Sequence, residues 1–543
     1  MQSLVAKRMY LSGAIALSFI AVSSYSSEAA ALTLTGGGPA LTQSIDTSIV
    51  ITSFDGTQIA ATLFTPNAPA NTPVPLILHG NPWGGHRMTA LHGTGITAPF
   101  LYTQSEEAVA LAVENGYYAI SFDERGWGDS GGTDEMMSAA YNGKDIEAVL
   151  NWADSHLGPQ LARDAHTGKM VVGTLGYSYG GGFQLLGASL DSRIQVMVPA
   201  LTWHYLAESL GPGLPGLQPK TQWSQLLLIL GQVFGSQMNP TLVNFSKSVP
   251  KKGDEQDFTP LLNLSGPNGP NAYCGDTQFT PAPGQSLPTV PTFLVQGWKD
   301  SLFTANEGIQ NAQCLRAGGA DVRLLLQQYG HQIPFTSWIP FKSGLIAVGM
   351  EQTPHCGSQS FDITEAMFSF IDEVMFGPNH YTGHVDIPKN CFTVDGNTGF
   401  AMNSIPTNGQ TYNVRTAQKV SGGSKNATFV SLYTATGNKA FAGIPHMTVN
   451  INSSQNPYAY FGIGVQRSGS RKVELVDVQL YPIHGSGNFD ADLVGVSVNL
   501  SRGDQLGIYA ANEAPMFKYH TSESRQPPDF SFTGSFTLPP AMN

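Results

Sequence analysis

Charge is scarce in this sequence. Asp, Glu, Lys and Arg make up 12% of the 543 residues, against about 25% in an average soluble protein. Gly, Ser, Thr, Asn and Gln fill the gap. The formal net charge is −12 and no long basic run is present, which argues against nucleic acid and anionic membrane surfaces as partners. Cysteine is scarce too, with only Cys274, Cys314, Cys356 and Cys391. None forms a CxxC or stands at ligand spacing from a histidine, so no zinc or other metal site is expected. Long apolar runs are nearly missing. Only Met9 to Val22 stands out, and it is short for a membrane span. Lys7 and Arg8 precede it and Ala29-Ala30-Ala31 follows, the pattern of a signal peptide over residues 1–31. The expected location is therefore the periplasm or the cell exterior, with no stable membrane span in the mature form. In an exported protein four cysteines suggest two disulfides. Three pairings are possible, and Cys274–Cys314 with Cys356–Cys391 is the expected one. Internal repeats and low-complexity tracts are absent as well.

What is present is a regular alternation. The length suggests roughly three or four domains of about 150 residues. Residues 48–64 alternate apolar and polar side chains around Asp55-Gly56, a hairpin signal. Buried strands are expected at 74–80, 117–126, 170–178, 193–201, 292–297 and 322–330, and helices at 105–116, 144–156, just after 178, and 364–376. Continuous Val/Ile/Leu strands alternating with helices imply a parallel sheet covered on both faces. The alternation fills 32–202 and 289–390. Residues 203–288 interrupt it with Pro- and Gly-rich chain and one apolar helix-like stretch at 224–234, so they are expected to form a cap inserted between two strands. From about 391 to 543 helical periodicity vanishes and short β-type runs appear, which suggests a β-sandwich or jelly-roll domain.

The pattern G-x-S-x-G occurs twice. With 60 glycines in the chain, context has to decide between the two. Gly128-Asp129-Ser130-Gly131-Gly132 lies several residues past its strand and runs into loop, so Ser130 is set aside as a nucleophile. Gly176-Tyr177-Ser178-Tyr179-Gly180 joins a buried strand directly to a helix, the setting of a nucleophile elbow. A serine nucleophile needs a histidine to take its proton, a carboxylate to orient that histidine and backbone donors for the oxyanion. In this arrangement acid and base follow the serine, each on a loop at a strand end. Asp300, after TFLVQGWK, and His331, after VRLLLQQYG, meet both conditions. Glu307 is the weaker candidate for the acid because it falls inside the next helix. Asp300 could also cap that helix, and the two roles are compatible. The expected oxyanion donors are the Tyr179 N–H together with Asn81 or Trp83 of the loop Asn81-Pro82-Trp83-Gly84-Gly85, by backbone N–H or by the Trp83 indole. His79 is expected to shape that loop. No cofactor is required.

These segments, in this order, resemble the X-Pro dipeptidyl-peptidase-like hydrolases, a family that includes cocaine esterase-like acyl esterases and glutaryl acylases. SFDGTQIAATLFTP looks like the opening hairpin of that family, FDERGWGDSGG like its Asp-x-Arg-Gly-x-Gly-x-Ser loop, LGYSYGG like its elbow and GWKDSLF like its acid loop. LSRGDQLGIYAAN resembles a strand pair of its C-terminal jelly roll. The resemblance implies an α/β-hydrolase fold with an inserted helical cap and a C-terminal all-β jelly roll, and a Ser178–Asp300–His331 triad. Two departures bear on the substrate. Trp83 stands where the family commonly has a tyrosine, and QQYGHQ replaces the usual Gly-Pro-Trp-x-His.

The expected activity is hydrolysis of an ester or amide in a small molecule or peptide through an acyl-enzyme. An X-Pro dipeptidyl-peptidase is the alternative. It would need a carboxylate aimed at the substrate ammonium, for which Glu208, Asp254, Glu255 and Asp257 of the cap are candidates. An inert secreted glycan-binding protein is the alternative of another class, disfavoured by the intact Ser, Asp and His.

Overall fold

The computed structural model describes residues 31–542, apart from 93–103, 235–236, 253–255, 262–273, 275–282, 333–347, 408, 422–426 and 518–526. The expected signal peptide, Ala31 excepted, lies outside the described residues.

One ten-stranded sheet organises the first part of the chain. Its strands are β1 (Ser44–Thr52), β2 (Gln58–Thr65), β3 (Leu76–Gly80), β4 (Tyr118–Phe122), β5 (Val172–Tyr177), β6 (Ile194–Ala200), β7 (Thr292–Gly297), β8 (Val322–Gln327), β9 (Asn390–Asp395) and β10 (Thr398–Met402). Their spatial order is β10-β9-β8-β7-β6-β5-β3-β4-β2-β1. Strands β3 to β9 are paired in parallel, while the hairpin β1–β2 and strand β10 add antiparallel edges. Alternate residues of a strand face opposite sides, and here both sides are covered. Leu76 and Leu78 pack with helices α2 (Asn142–His156) and α3 (Tyr179–Leu190), and Ile77 packs with α1 (Gln104–Glu114) and the helix Ile363–Phe376. That explains the uninterrupted apolar runs.

The sheet reaches further along the chain than the sequence pattern suggests. The segment from 391 on reads as β-rich throughout, yet β9 and β10 extend the large sheet rather than the C-terminal sheets. The reason is burial: Asn390 to Val394 are covered on both faces, which the sandwich edge would not provide. Cys391 in β9 is tied to Cys356, with Cα atoms 5.4 Å apart, and Cys274 to Cys314, at 5.7 Å. Both separations are normal for a disulfide, and the pairing is the expected one.

Between β6 and β7, in the stretch expected to form the cap, lie helices α4 (Leu206–Leu210), α5 (Thr221–Val233) and α6 (Pro240–Lys252). Their apolar faces join the same core cluster as α2 and α3. Two further helices, α7 (Ala305–Ala317) and α8 (Ile363–Phe376), follow β7 and β8. Beyond β10 the chain forms antiparallel sheets. One is ordered Thr411–Val420, Phe530–Thr537, His446–Asn452, Gly487–Asp492, and another contains Thr428–Thr434, Gln505–Ala511 and Tyr458–Gln466. They face each other across Phe461, whose ring lies 5.3 Å from Phe532. Among the described residues no helix is long and apolar enough to cross a membrane.

Candidate active site

The turn from β5 into α3 forces Ser178 into φ 58°, ψ −119°. A non-glycine residue there carries strain of roughly 1–3 kcal/mol, held in place by tight packing. Gly176 and Gly180 permit that packing. A Cβ on Gly176 would stand 2.6 Å from the Gly80 carbonyl oxygen, and a Cβ on Gly180 would collide with that same oxygen at the end of β3. Both obstacles are backbone and cannot rotate away. Gly180→Ala is therefore expected to cost about 3 kcal/mol, read as a lower urea midpoint. An unchanged midpoint would contradict the packing argument.

Ser178, His331 and Asp300 lie in one hydrogen-bonded line. His331 Nε2 is 2.9 Å from Ser178 Oγ, and His331 Nδ1 is 2.7 Å from Asp300 Oδ2. All three are buried. The other oxygen, Asp300 Oδ1, accepts from the N–H groups of Leu302 and Phe303 at 3.0 and 2.7 Å. Asp300 thus caps its own turn. The N-cap of the next helix, α7, is instead Thr304, whose side chain makes no capping hydrogen bond. Gly330 lets the histidine loop pass, since a Cβ there would stand 2.5 Å from Asp300 Cβ. The rings of Phe303 and Trp223 meet the imidazole edge-on, at 5.3 and 6.1 Å.

The other candidates fall elsewhere. Ser130 Oγ donates to the Asp123 carbonyl and accepts from the Ala60 N–H, which accounts for it without chemistry. Glu307 accepts from the N–H groups of His204 and Tyr205, fixing the chain where it leaves β6 for the cap. His79 is fully buried against Ser121, and burial pushes its pKa down to about 3.

On the oxyanion side the indole option fails. The Trp83 Nε1–H donates to Leu227 O in cap helix α5, at 3.0 Å, and its ring packs on Trp127 and Tyr179. The Asn81 side-chain amide is likewise spent, on the Phe122 carbonyl. The backbone N–H groups of Asn81, Trp83 and Tyr179 have no protein acceptor among the described residues. The Tyr179 ring is anchored at its far end: its OH donates to Asp134 Oδ1 at 2.7 Å and accepts from the Met137 N–H at 2.9 Å. Burial pushes Asp134 up to about 7 and neighbouring Glu124 up to about 8.

A cavity opens beside Ser178. Its walls are Trp83, Met136, Tyr179, Trp203 and Phe303 from the sheet side and Leu206, Leu210, Leu227, Leu228, Leu242 and Phe245 from the cap. Ser178, Ser224 and Ser246 add hydroxyls, and no charged side chain of the described residues lines it. Among the described residues there is also no cluster of metal-ligating side chains. Of the carboxylates considered for an ammonium, Asp257 is exposed and occupied with the Thr259 N–H, Glu208 is half-buried outside the cavity lining, and Asp254 and Glu255 lie outside the described residues.

Sequence reasoning missed the residues that grip the acid loop. Lys220 Nζ donates to the carbonyls of Ser301 and Leu302, Trp223 Nε1 to Ser301 Oγ, and Gln479 Nε2 to the carbonyls of Trp298 and Asp300. One signal was legible: Lys220 is the only charged residue between Glu208 and Lys247.

The model of the family described as X-Pro dipeptidyl-peptidase (S15 family) matches residues 55–332, a stretch that holds the elbow, Asp300 and His331. The chain belongs to the S15 family. Solved structures share its fold at low identity. A CocE/NonD family hydrolase from Staphylococcus aureus is 13% identical, with a TM-score of 0.61 over 92% of this chain and 94% of that one. An α-amino acid ester hydrolase is 11% identical, with a TM-score of 0.59 over 98% and 100%. An aminopeptidase from a marine sediment Thaumarchaeota archaeon is 11% identical, with a TM-score of 0.57 over 92% and 96%. These place the fold of this S15 member among the α/β-hydrolase-like enzymes with an added all-β region. An uncharacterized 31.7 kDa protein of Escherichia coli is 33% identical over 90 residues, which is 17% of this chain and 29% of that protein. The match thus spans less than a third of that curated relative.

Proposed function

We propose that this S15 member is an exported serine hydrolase that cleaves esters or amides of apolar acyl groups through an acyl-enzyme on Ser178. The observation that carries the reading is the cavity beside Ser178, apolar and free of charge among the described residues. In the reaction, Ser178 Oγ attacks the substrate carbonyl carbon and its proton passes to His331 Nε2. Asp300 holds the imidazole with its proton on Nδ1 and faces the imidazolium that forms. The oxyanion is received by the backbone N–H groups of Tyr179 and of Asn81 or Trp83. His331 then gives its proton to the departing alcohol or amine, and water, deprotonated by the same histidine, releases the acid. The C-terminal sheets are read as a jelly roll that closes one side of the cleft. In support, Met516 and Phe517 pack in the same core cluster as the cap helices.

The names of two structural neighbours, an aminopeptidase and an α-amino acid ester hydrolase, favour a second reading in which the substrate carries an α-ammonium. That group requires a carboxylate in a desolvated pocket, and the described lining offers none. The test compares p-nitrophenyl esters of two to six acyl carbons with Gly-Pro-p-nitroanilide. Each buried methylene contributes about 0.8 kcal/mol, so kcat/KM is expected to rise about fourfold per carbon until the cavity is full, with the dipeptide anilide far below. A preference for Gly-Pro over every simple ester would overturn the apolar-acyl reading.

A further inference from the structure

The loop that carries Asp300 is held by the cap as well as by its own strand. Lys220, at the start of α5, is 3% exposed. Its ammonium reaches the carbonyl oxygens of Ser301 and Leu302, each at 2.9 Å. Three residues on, Trp223 donates its indole N–H to Ser301 Oγ at 3.1 Å, and that hydroxyl donates to the His331 carbonyl at 2.9 Å. The Ser301 N–H donates to the same carbonyl. One turn of a cap helix thus ties together the loops bearing Asp300 and His331. Lys220 does not line the acyl cavity, so it has no direct hold on substrate. A buried charge is costly unless several partners repay it, and a bare structural link between two loops could have been apolar.

We propose that Lys220 is a positioning residue for Asp300 and His331, so that the cap is a working part of the catalytic machinery as well as the wall of the acyl cavity. This rests on the Ser178 reading. The groups facing the ammonium are Asp300 of the acid loop, Glu307 of α7 and Glu208 of α4. Its positive charge faces Asp300 across the acid loop whose carbonyls it holds. Burial brings the Lys220 pKa down to about 8, against the pull of these three carboxylates. Above that pH the amine is neutral, a weaker donor to the two carbonyls, and the charge facing Asp300 is gone. The rate per active site should therefore fall as pH rises through about 8.

The experiment measures kcat, KM and the pH profile for wild type, Lys220→Met and Lys220→Arg on the best p-nitrophenyl ester. Rates are expressed per site that a fluorophosphonate probe titrates. Lys220→Met is expected to lose kcat on the order of 100-fold, as displaced catalytic groups do, with KM within about threefold because the cavity wall is untouched. Lys220→Arg keeps a charge that does not titrate in this range. It should recover at least about tenfold of that loss and abolish the alkaline fall. Where Lys220→Met gives no soluble protein, Lys220→Gln, which keeps a donor without charge, carries the same comparison. A merely structural lysine would lower the number of titratable sites and leave kcat per site and the pH profile as they are; that outcome overturns the assignment. A wild type that the probe does not label would instead sink the Ser178 reading itself.

Discussion

Ser178→Ala is expected to lower kcat about 10⁶-fold, the scale on which a serine nucleophile's loss is felt when the rest of its machinery remains. The fold should survive. Alanine has the same Cβ as serine and occupies φ 58° at the same cost, so the elbow between β5 and α3 is unchanged. The hydroxyl's contact is with His331 Nε2, and its removal should alter stability by no more than about 1 kcal/mol. Two measurements check this together: the rate on the best ester, and the urea midpoint. Covalent labelling by a fluorophosphonate should vanish in the same variant. A variant that keeps more than a hundredth of the wild-type rate would move the nucleophile elsewhere, as would undiminished labelling. A variant that loses both activity and its folding transition would say that the elbow needs the hydroxyl, contrary to the geometry.

How far the sequence reveals this arrangement depends on the range of the interaction that fixes each part. The parallel sheet was legible because burial on both faces writes itself into every strand as an unbroken apolar run. The elbow was legible because a strained turn needs its glycines within two residues of Ser178. Asp300 and His331 could be nominated because each follows such a strand by a few residues. The register that joins them was not legible. Nothing local in QQYGH says that His331 faces Ser178, which stands 153 positions earlier in the chain.

Other parts were hidden for a different reason. The Trp83 indole looked available as an oxyanion donor because its acceptor, the Leu227 carbonyl, is a backbone atom of a cap helix. Backbone acceptors leave no trace in a sequence. The same holds for Lys220 and Gln479, whose partners are the carbonyls of residues 298 to 302. Strands β9 and β10 were assigned to the C-terminal region because a β-type run does not state which sheet it will join. Only the parallel pairing of Leu324 to Leu326 with Asn390 to Phe392 decides that.

Asp300→Asn is the second large effect expected, a fall in kcat of about 10⁴-fold with little change in KM. The argument turns on which oxygen of Asp300 does what. Oδ1 accepts from the N–H groups of Leu302 and Phe303, and an asparagine oxygen can take that place unchanged. The amide nitrogen must then stand where Oδ2 now faces His331 Nδ1 at 2.7 Å. Two donors cannot face each other there, so His331 keeps Nδ1 bare as an acceptor and carries its proton on Nε2. Nε2 then donates to Ser178 Oγ instead of accepting from it, and the hydroxyl loses its base although no atom has moved. Asp300→Ala makes the contrast. It frees the imidazole from the wrong tautomer but also releases the turn at 301–303, so it should lose stability that Asp300→Asn retains. Kinetics and urea midpoints on the two variants separate these effects. Should Asp300→Asn keep a tenth or more of the wild-type kcat, the orienting role falls to another carboxylate. Glu307 is then the residue to test, although its own partners at His204 and Tyr205 hold it to the chain entering the cap.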